Sequence, residues 1–189
     1  MIIGLTGKNG SGKGEAAAYL QKKGFEYHSL SDVLRKEAER LNIEKTRDNL
    51  FQLGNKMRDE EGAEVLAKRI LKDLDVSRNI VIDSIRHPDE AAALRAAPEF
   101  FLWVVDASAE VRFERMRHRA REKDPQSLDV FLELEAKEAE SDNPTDQQLK
   151  KTLECADIVV QNEGGLEKLY GRIDQLLQNP KSMLTHKNN

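Results

Sequence analysis

The chain has 189 residues and a net charge of −4, and 34% of its residues are charged. This length suits one domain with a sizeable core, and the acidic balance argues against a general binder of nucleic acids or anionic membranes. The single cysteine, Cys155, excludes an internal disulfide and suits a reducing compartment. Because the chain opens directly into an apolar run without a leader, and no apolar run is long enough to span a membrane, we expect a cytoplasmic protein.

A glycine-rich loop follows the first apolar run. Residues 2–6 predict a strand, residues 7–14 read GKNGSGKG, and a helix is expected from about residue 12 to 23. Glycines let the backbone approach a phosphate, the N–H groups and the helix N-terminus attract it, and Lys13 can reach the outer phosphates. This stretch, the glycine loop (Gly7–Gly14), therefore predicts a nucleotide site. The expected contacts are Gly7, Asn9, Gly10, Ser11, Gly12, Lys13, Gly14 and Glu15.

Short apolar runs alternate with helical patterns along the rest of the chain. Later strands are expected at about residues 25–28, 79–83, 100–106 and 158–160. Helices are expected at about residues 31–41 with Ser31 as N-cap, from 46 or 48 onward, and at 63–74, 88–98, 109–121, 128–141, just before 156, and 166–178. This order predicts an α/β fold with a five-stranded parallel sheet covered on both faces. Ligands bind such sheets at the carboxyl ends of the strands, where the glycine loop, Asp83 and Asp106 are expected.

Two arginines are candidates for binding the phosphate of an acceptor. Arg35 follows Asp32 by three residues, so the two share a face near the start of the second predicted helix. Arg86 follows Asp83 by three residues, just past a strand end. A guanidinium can bind a phosphate through two parallel hydrogen bonds. A kinase that acts on a phosphorylated acceptor needs such cations in addition to those at the donor site.

The glycine loop and the two arginine motifs resemble those of nucleoside monophosphate kinases. The loop is similar to the Gly-x-x-Gly-x-Gly-Lys-Gly-Thr of adenylate kinases up to Gly14 and departs from it at Glu15. Residues 31–35, SDVLR, resemble the family's Gly-Asp-x-Leu-Arg. Residues 83–86, DSIR, resemble its Asp-Gly-Phe-Pro-Arg with one residue fewer.

This resemblance implies a role for each matching residue. Arg35 and Arg86 would hold the acceptor phosphate, and Asp83 would hold Mg²⁺ directly or through water. Gly14 departs from the usual P-loop, which has a metal-binding hydroxyl at that position. Asp32 has two possible roles: the aspartate that looks equivalent in dephospho-CoA kinases is assigned as a base, whereas in monophosphate kinases it is structural.

An arginine-rich segment predicts a lid. Residues 111–121, VRFERMRHRAR, contain five arginines in an otherwise acidic chain. Arg112, Arg115 and Arg119 recur at helical spacing and form a basic stripe, which could close over a triphosphate and exclude water. The segment resembles the Arg-x-x-x-Arg lid of monophosphate and dephospho-CoA kinases. That resemblance implies that Arg115, Arg119 and Arg121 cover the transferred group.

Two further stretches suggest substrate contacts. Residues 156–164, ADIVVQNEG, resemble the Ala-Asp-x-x-x-x-Asn-x-Gly end of dephospho-CoA kinases, which implies that Asn162 and the Gly164 backbone contact adenine. Residues 46–58 resemble the acceptor helices of phage-type deoxynucleoside monophosphate kinases. This likeness implies that Arg47, Gln52 and Arg58 line a base and sugar pocket.

We therefore expect a three-layer P-loop NTPase fold over residues 1–179, with acceptor-binding helices at about 31–75, a lid at about 111–145 and a flexible tail at 180–189. The protein would use ATP and Mg²⁺ to phosphorylate a nucleoside or deoxynucleoside monophosphate. The catalytic groups would be Lys13, Asp32, Asp83, Arg115, Arg119 and Arg121. The alternatives are a dephospho-CoA kinase and, in another class, an ATP-binding switch or assembly factor. The expected partners are small nucleotides, with neither general nucleic-acid binding nor a membrane.

Overall fold

A parallel five-stranded sheet forms the centre of the molecule. The computed structural model describes residues 1–119, 127–139 and 147–179. The strands are β1 (Ile2–Thr6), β2 (Glu26–Ser29), β3 (Ile80–Asp83), β4 (Phe100–Asp106) and β5 (Ile158–Gln161). They lie in the order β2-β3-β1-β4-β5, and every neighbouring pair is parallel. The α/β class expected from the alternating pattern is confirmed.

Helices connect the strands and cover both faces of the sheet. The described helices are α1 (Lys13–Lys22), α2 (Leu30–Arg40), α3 (Arg47–Glu61), α4 (Val65–Leu71), α5 (Pro88–Leu94), α6 (Ala109–Arg119), α7 (Leu128–Ala139), α8 (Leu149–Glu154) and α9 (Leu166–Gln178). The expected cap of α2 is wrong, because Ser29 rather than Ser31 caps it. Ser29 has extended backbone angles, and its hydroxyl accepts from the Ser31 N–H at 3.2 Å. Asp32 consequently lies in the first turn of α2.

The two faces of the sheet belong to separate hydrophobic cores. Ile2, Ile80 and Leu102 pack with α2, α3, α4 and α5 on one face. Ile3 and Val81 pack with α1 and α9 on the other face. Because successive side chains of a strand point to opposite faces, strands covered on both sides are apolar throughout. This packing leaves the strand ends as the place where polar groups can gather.

The α6–α7 pair has a small core of its own. Phe113 and Met116 of α6 pack with Phe131 of α7, and the centres of the two phenylalanine rings are 6.0 Å apart. This cluster is separate from the two cores of the sheet.

Some sequence expectations fall on residues that the structure does not describe. They are Arg121, part of the expected lid, and the expected tail at residues 180–189. Within the described ranges, no helix is both long enough and apolar enough to cross a membrane.

Candidate nucleotide and acceptor sites

The glycine loop bends sharply between β1 and α1. Positive φ angles occur at Gly7 (147°), Gly10 (78°) and Gly12 (99°). A Cβ at Gly10 would lie 2.7 Å from the Arg112 carbonyl oxygen, and a Cβ at Gly12 would collide with the Asn162 amide. A Cβ at Gly14 would meet no atom within 4 Å. The loop therefore needs glycine at its bends and leaves open space at the first turn of α1.

Lys13 folds back onto the glycine loop and lies near the loop after β3. Its ammonium donates to the carbonyl oxygens of Gly7 at 2.7 Å and Lys8 at 3.0 Å. Burial, and after it the positive charge of Arg86, lowers the pKa of Lys13 to about 8, while Asp83 acts in the opposite direction. β1 and β3 are neighbouring parallel strands, and the Thr6 hydroxyl at the end of β1 donates to the Ile85 carbonyl oxygen at 2.9 Å. The glycine loop and the segment after β3 therefore leave the sheet side by side, which agrees with the influence of Arg86 and Asp83 on Lys13.

The segment after β3, the arginine loop (Ser84–His87), begins with a left-handed residue. Ser84 has a φ of 67° at the position where monophosphate kinases carry glycine. Its N–H donates to the Asp83 carboxylate at 2.6 Å, and its hydroxyl accepts from the Ser29 hydroxyl at 3.2 Å. A non-glycine residue persists in this conformation only where its surroundings hold it, and such residues cluster at functional sites.

Arg58 does not line an open pocket, so that expectation is wrong. Its side chain is 2% exposed and donates two hydrogen bonds, of 2.9 and 3.2 Å, to Glu90 on α5. Arg58 directly follows the buried Met57 and lies one turn beyond the buried Gly54, so it belongs to the core face of α3.

The other acceptor candidates lie on exposed positions of α2 and α3. Asp32 and Arg35 are 53% and 50% exposed and pair with each other at 2.8 Å. Arg47 and Gln52 are exposed on α3. These four polar groups are therefore accessible to a ligand.

Tyr27 is a neighbour of this region that the motif reasoning missed. Burial and the negative charge of Asp83 raise the pKa of the Tyr27 hydroxyl, and the charge of Asp32 raises it further. The positive charge of Arg35 lowers this pKa and so acts in the opposite direction. The parallel register pairs Tyr27 with Val81 two residues before Asp83, so Tyr27 and Asp83 project from the same face of the sheet. The alternation of side chains along β2 was the signal in the sequence that could have placed Tyr27 on the same face as Asp83.

Arg112, on α6, is buried and connects the glycine loop to α7. Its guanidinium donates to the Asn9 carbonyl oxygen at 3.3 Å and forms a two-pronged ion pair with Glu135 of α7. Lys8 of the glycine loop also reaches Glu135, at 3.5 Å. A charge cluster therefore fastens α7 to the donor site.

Arg115 also contacts backbone, and its expected place over a transferred group stays a prediction. Its guanidinium donates to the carbonyl oxygens of Ser11 at 3.4 Å, Asn162 at 2.8 Å and Gly164 at 2.9 Å. Arg115 thus joins the glycine loop to the loop between β5 and α9. Arg119, four residues further along α6, is exposed.

The Asn162 side chain supports the glycine loop. Asn162 is 5% exposed, donates to the Ser11 carbonyl oxygen at 2.8 Å and accepts from Arg115 at 3.3 Å. The adenine contact expected of Asn162 stays a prediction. Gly164 is partly exposed and offers backbone groups at the same loop.

The polar residues fit a magnesium ion that arrives with a nucleotide. Among the residues that the structure describes, no group of three or more His, Cys, Asp or Glu side chains is arranged to hold a metal. Mg²⁺ commonly uses one or two carboxylates together with substrate phosphates and water, and Asp83 next to Lys13 supplies such a carboxylate.

The parallel sheet, with helices on both faces and a glycine loop between β1 and α1, has the P-loop NTPase fold. The chain belongs to the AAA domain family, whose model matches residues 3–150. It is also a relative of the UPF0200 proteins. It is 30% identical to a UPF0200 protein of Pyrococcus abyssi over 185 residues, which cover 94% of this chain and 96% of that protein.

Solved structures share the fold at low sequence identity. A shikimate kinase from Bacteroides thetaiotaomicron superimposes with a TM-score of 0.62 and 18% identity, covering 94% of this chain and 98% of that one. A sugar kinase from a Janibacter species gives a TM-score of 0.52 and 21% identity, covering 98% of each chain. Identities this low establish the fold and do not identify an acceptor.

Proposed function

We propose that this protein is an ATP-dependent kinase that transfers the γ-phosphoryl group to a nucleoside or deoxynucleoside monophosphate. The observation that supports the proposal is the position of the glycine loop next to the arginine loop, at the ends of the neighbouring strands β1 and β3. Lys13 would serve the donor and Arg86 a second phosphate at these strand ends, where two phosphorylated ligands could face each other.

The donor half of the site consists of the glycine loop and its neighbours. The loop amides and Lys13 would hold the ATP phosphates. The open space next to Gly14, at the first turn of α1, would accommodate these phosphates. Asp83 would hold Mg²⁺, which neutralises charge on the β- and γ-phosphates when it is bound. The expected lid of residues 111–145 would keep water away through Arg119 and Arg121.

The acceptor half consists of α2, α3 and the arginine loop. Arg35 and Arg86 would bind the acceptor's phosphate, and the exposed Arg47 and Gln52 would face its sugar and base. An oxygen of that phosphate attacks the γ-phosphorus as the bond to the β-phosphate oxygen breaks, and ADP leaves. The attacking oxygen is already anionic, so no general base is required. The pairing of Asp32 with Arg35 agrees with a structural role for Asp32.

An ADP-release assay tests the proposal directly. Purified protein with Mg-ATP is offered each ribonucleoside and deoxyribonucleoside monophosphate in turn, and dephospho-CoA as a separate arm. We expect one or a few monophosphates to stimulate ADP release, with the Lys13→Met variant as background. A response to dephospho-CoA alone would instead assign Asp32 as a base that activates a ribose hydroxyl.

A proposal of a different class is supported by the absence of a hydroxyl at Gly14 and Glu15. A P-loop without this metal ligand suits slow ATP hydrolysis in a switch that reports to a protein partner. A flat response across the whole acceptor panel, together with recovery of a stoichiometric protein partner, would replace the kinase proposal with this one.

A further inference from the structure

Arg58 and Glu90 form an ion pair in the protein interior next to the arginine loop. Their side chains are 2% and 0% exposed, and Arg58 donates to one carboxylate oxygen, Oε1, through both Nε and Nη2. Arg58 is on α3 and Glu90 on α5, 32 residues apart in sequence. The pair therefore links an acceptor-side helix to the helix that follows the arginine loop.

The second oxygen of Glu90 binds the backbone of the arginine loop itself. Oε2 accepts from the N–H of Arg86 at 2.9 Å and from the N–H of His87 at 3.1 Å. One carboxylate thus receives Arg58 on one side and two loop amides on the other. The hydrogen bonds that this buried carboxylate makes within the described residues go to α3 and to the arginine loop.

The arginine loop is held from other directions as well. The Thr6 hydroxyl donates to the Ile85 carbonyl oxygen at 2.9 Å, and the Gln148 N–H donates to the Arg86 carbonyl oxygen at 3.0 Å. Both backbone groups of Arg86 are therefore engaged. The backbone of the arginine loop is therefore fixed at the residue that carries the Arg86 guanidinium.

A buried ion pair contributes little to stability by itself, because removing two charges from water costs free energy that apolar side chains would not incur. It can specify one arrangement of the backbone, however, and here its carboxylate binds the two amides that set the position of Arg86. We propose that Arg58 and Glu90 are positioning residues that hold the Arg86 guanidinium where it binds the acceptor's phosphate. This inference rests on the proposed kinase function, and neither residue touches the acceptor.

The test compares conservative variants with matched controls. Glu90→Gln keeps the shape of the side chain but removes its charge, and Arg58→Lys keeps a positive charge but loses the planar fork. Glu37 is the matched control for Glu90, because it too accepts from an arginine of another helix, Arg69 of α4, at 3.1 Å. Glu37→Gln and Arg69→Lys therefore alter an ion pair between two other helices, which is more exposed and whose described hydrogen bonds do not reach the arginine loop.

We expect both test variants to raise the KM for the acceptor that the wild type uses best, by about tenfold, because small displacements of a binding group are costly. The KM for ATP is expected to change less than about twofold, since the glycine loop does not depend on this pair. Hydrogen exchange of a peptide covering residues 84–90 should become faster in the test variants. The two control variants should leave both KM values and this exchange unchanged.

A merely structural pair would give a different pattern. If the test variants lowered the melting temperature but left the acceptor KM and the exchange of residues 84–90 at wild-type values, the inference would be overturned. If Glu90→Gln does not fold, Arg58→Lys carries the same test. A wild type that turns over no monophosphate would refute the proposed function, and the exchange measurement would then decide alone whether the pair holds the loop.

Discussion

The donor and acceptor regions differ in how their charged side chains are held. Around the glycine loop, Arg112, Arg115 and Asn162 are buried or partly buried and bind the backbone carbonyl oxygens of the loop. On the acceptor side, Asp32 and Arg35 are half-exposed and contact each other. The donor phosphates would therefore meet a preformed cradle, whereas the acceptor would have to order the exposed Arg35, unlike Arg86, whose backbone is already held. The two sides should consequently respond differently to substitution.

The largest expected effect is on the donor side. Lys13→Met should reduce kcat/KM by about 10³-fold, because the lysine would stabilise charge that develops on the transferred group. Lys23→Met is the control. Lys23 lies just beyond the end of α1, the helix that Lys13 begins, and forms an ion pair with Asp174 at the protein surface. Initial rates measured over a range of ATP concentrations below and above KM would give this ratio. A Lys13→Met enzyme within tenfold of wild type would contradict the assignment.

Substitution of Arg35 should lower the affinity for the acceptor without changing the stability of the protein. Arg35→Ala should raise the acceptor KM by about tenfold or more through the loss of a charged hydrogen bond. Its melting temperature should stay near that of the wild type, since an exposed pair is worth about 0–1 kcal/mol. Arg40→Ala, on the same helix and also in an exposed pair, is the matched control. An unchanged acceptor KM in Arg35→Ala would remove this residue from the site.

Substitution of Asn162, which supports the glycine loop, should change both the stability of the protein and its affinity for ATP. Asn162→Ala leaves the Ser11 carbonyl oxygen without its amide partner, so we expect a loss of about 1–3 kcal/mol in unfolding free energy and a higher KM for ATP. Denaturant titration and initial-rate kinetics measure the two quantities. Gln161→Ala, at the exposed neighbouring position, should alter neither. If Asn162→Ala lost stability but kept the wild-type KM for ATP, Asn162 would support the fold of the loop without contributing to nucleotide binding.

The smallest expected effect is a proton taken up on nucleotide binding. The pKa of Lys13 is about 8 in the free protein, so at pH 8 about half of the molecules carry a neutral lysine. Bound phosphates favour the charged form, and ATP binding should therefore take up about half a proton at pH 8 and less at pH 7. Calorimetry in two buffers of different ionisation enthalpy detects this uptake. Proton release on ATP binding, or an uptake that persists in Lys13→Met, would contradict the prediction that Lys13 takes up the proton.

The fold could be predicted from the sequence because its signals are local. The apolar runs at β1, β3 and β4 and the loop glycines identify a parallel sheet with a phosphate-binding turn, and the structure confirms both the strands and their parallel pairing. The cap of α2 was misplaced by two residues because Ser29 and Ser31 are equally good caps in sequence, and only the bend after β2 distinguishes them.

The roles of the arginines could not be predicted because they depend on distant partners. Arg58 pairs with Glu90 32 residues away, and Arg115 reaches the Ser11 backbone 104 residues away. A motif shows that an arginine is present but not whether it faces a ligand or a carbonyl oxygen. For Arg58 a signal existed, since it directly follows the apolar Met57 on the buried side of α3. For Arg115 the sequence offered none.

The separate cluster of Phe113, Met116 and Phe131 has a consequence for how the molecule loses structure. The sheet can keep both of its cores intact while α7 departs. In the part of the chain that the structure describes, α7 is held by this small apolar cluster, by the Arg112 guanidinium over the Phe131 ring and by the charges on Glu135. Salt weakens the exposed Lys8 part of that attachment but not the apolar part. Native-state exchange should therefore find α7 opening first, at a free energy well below that of the sheet and more easily as ionic strength rises.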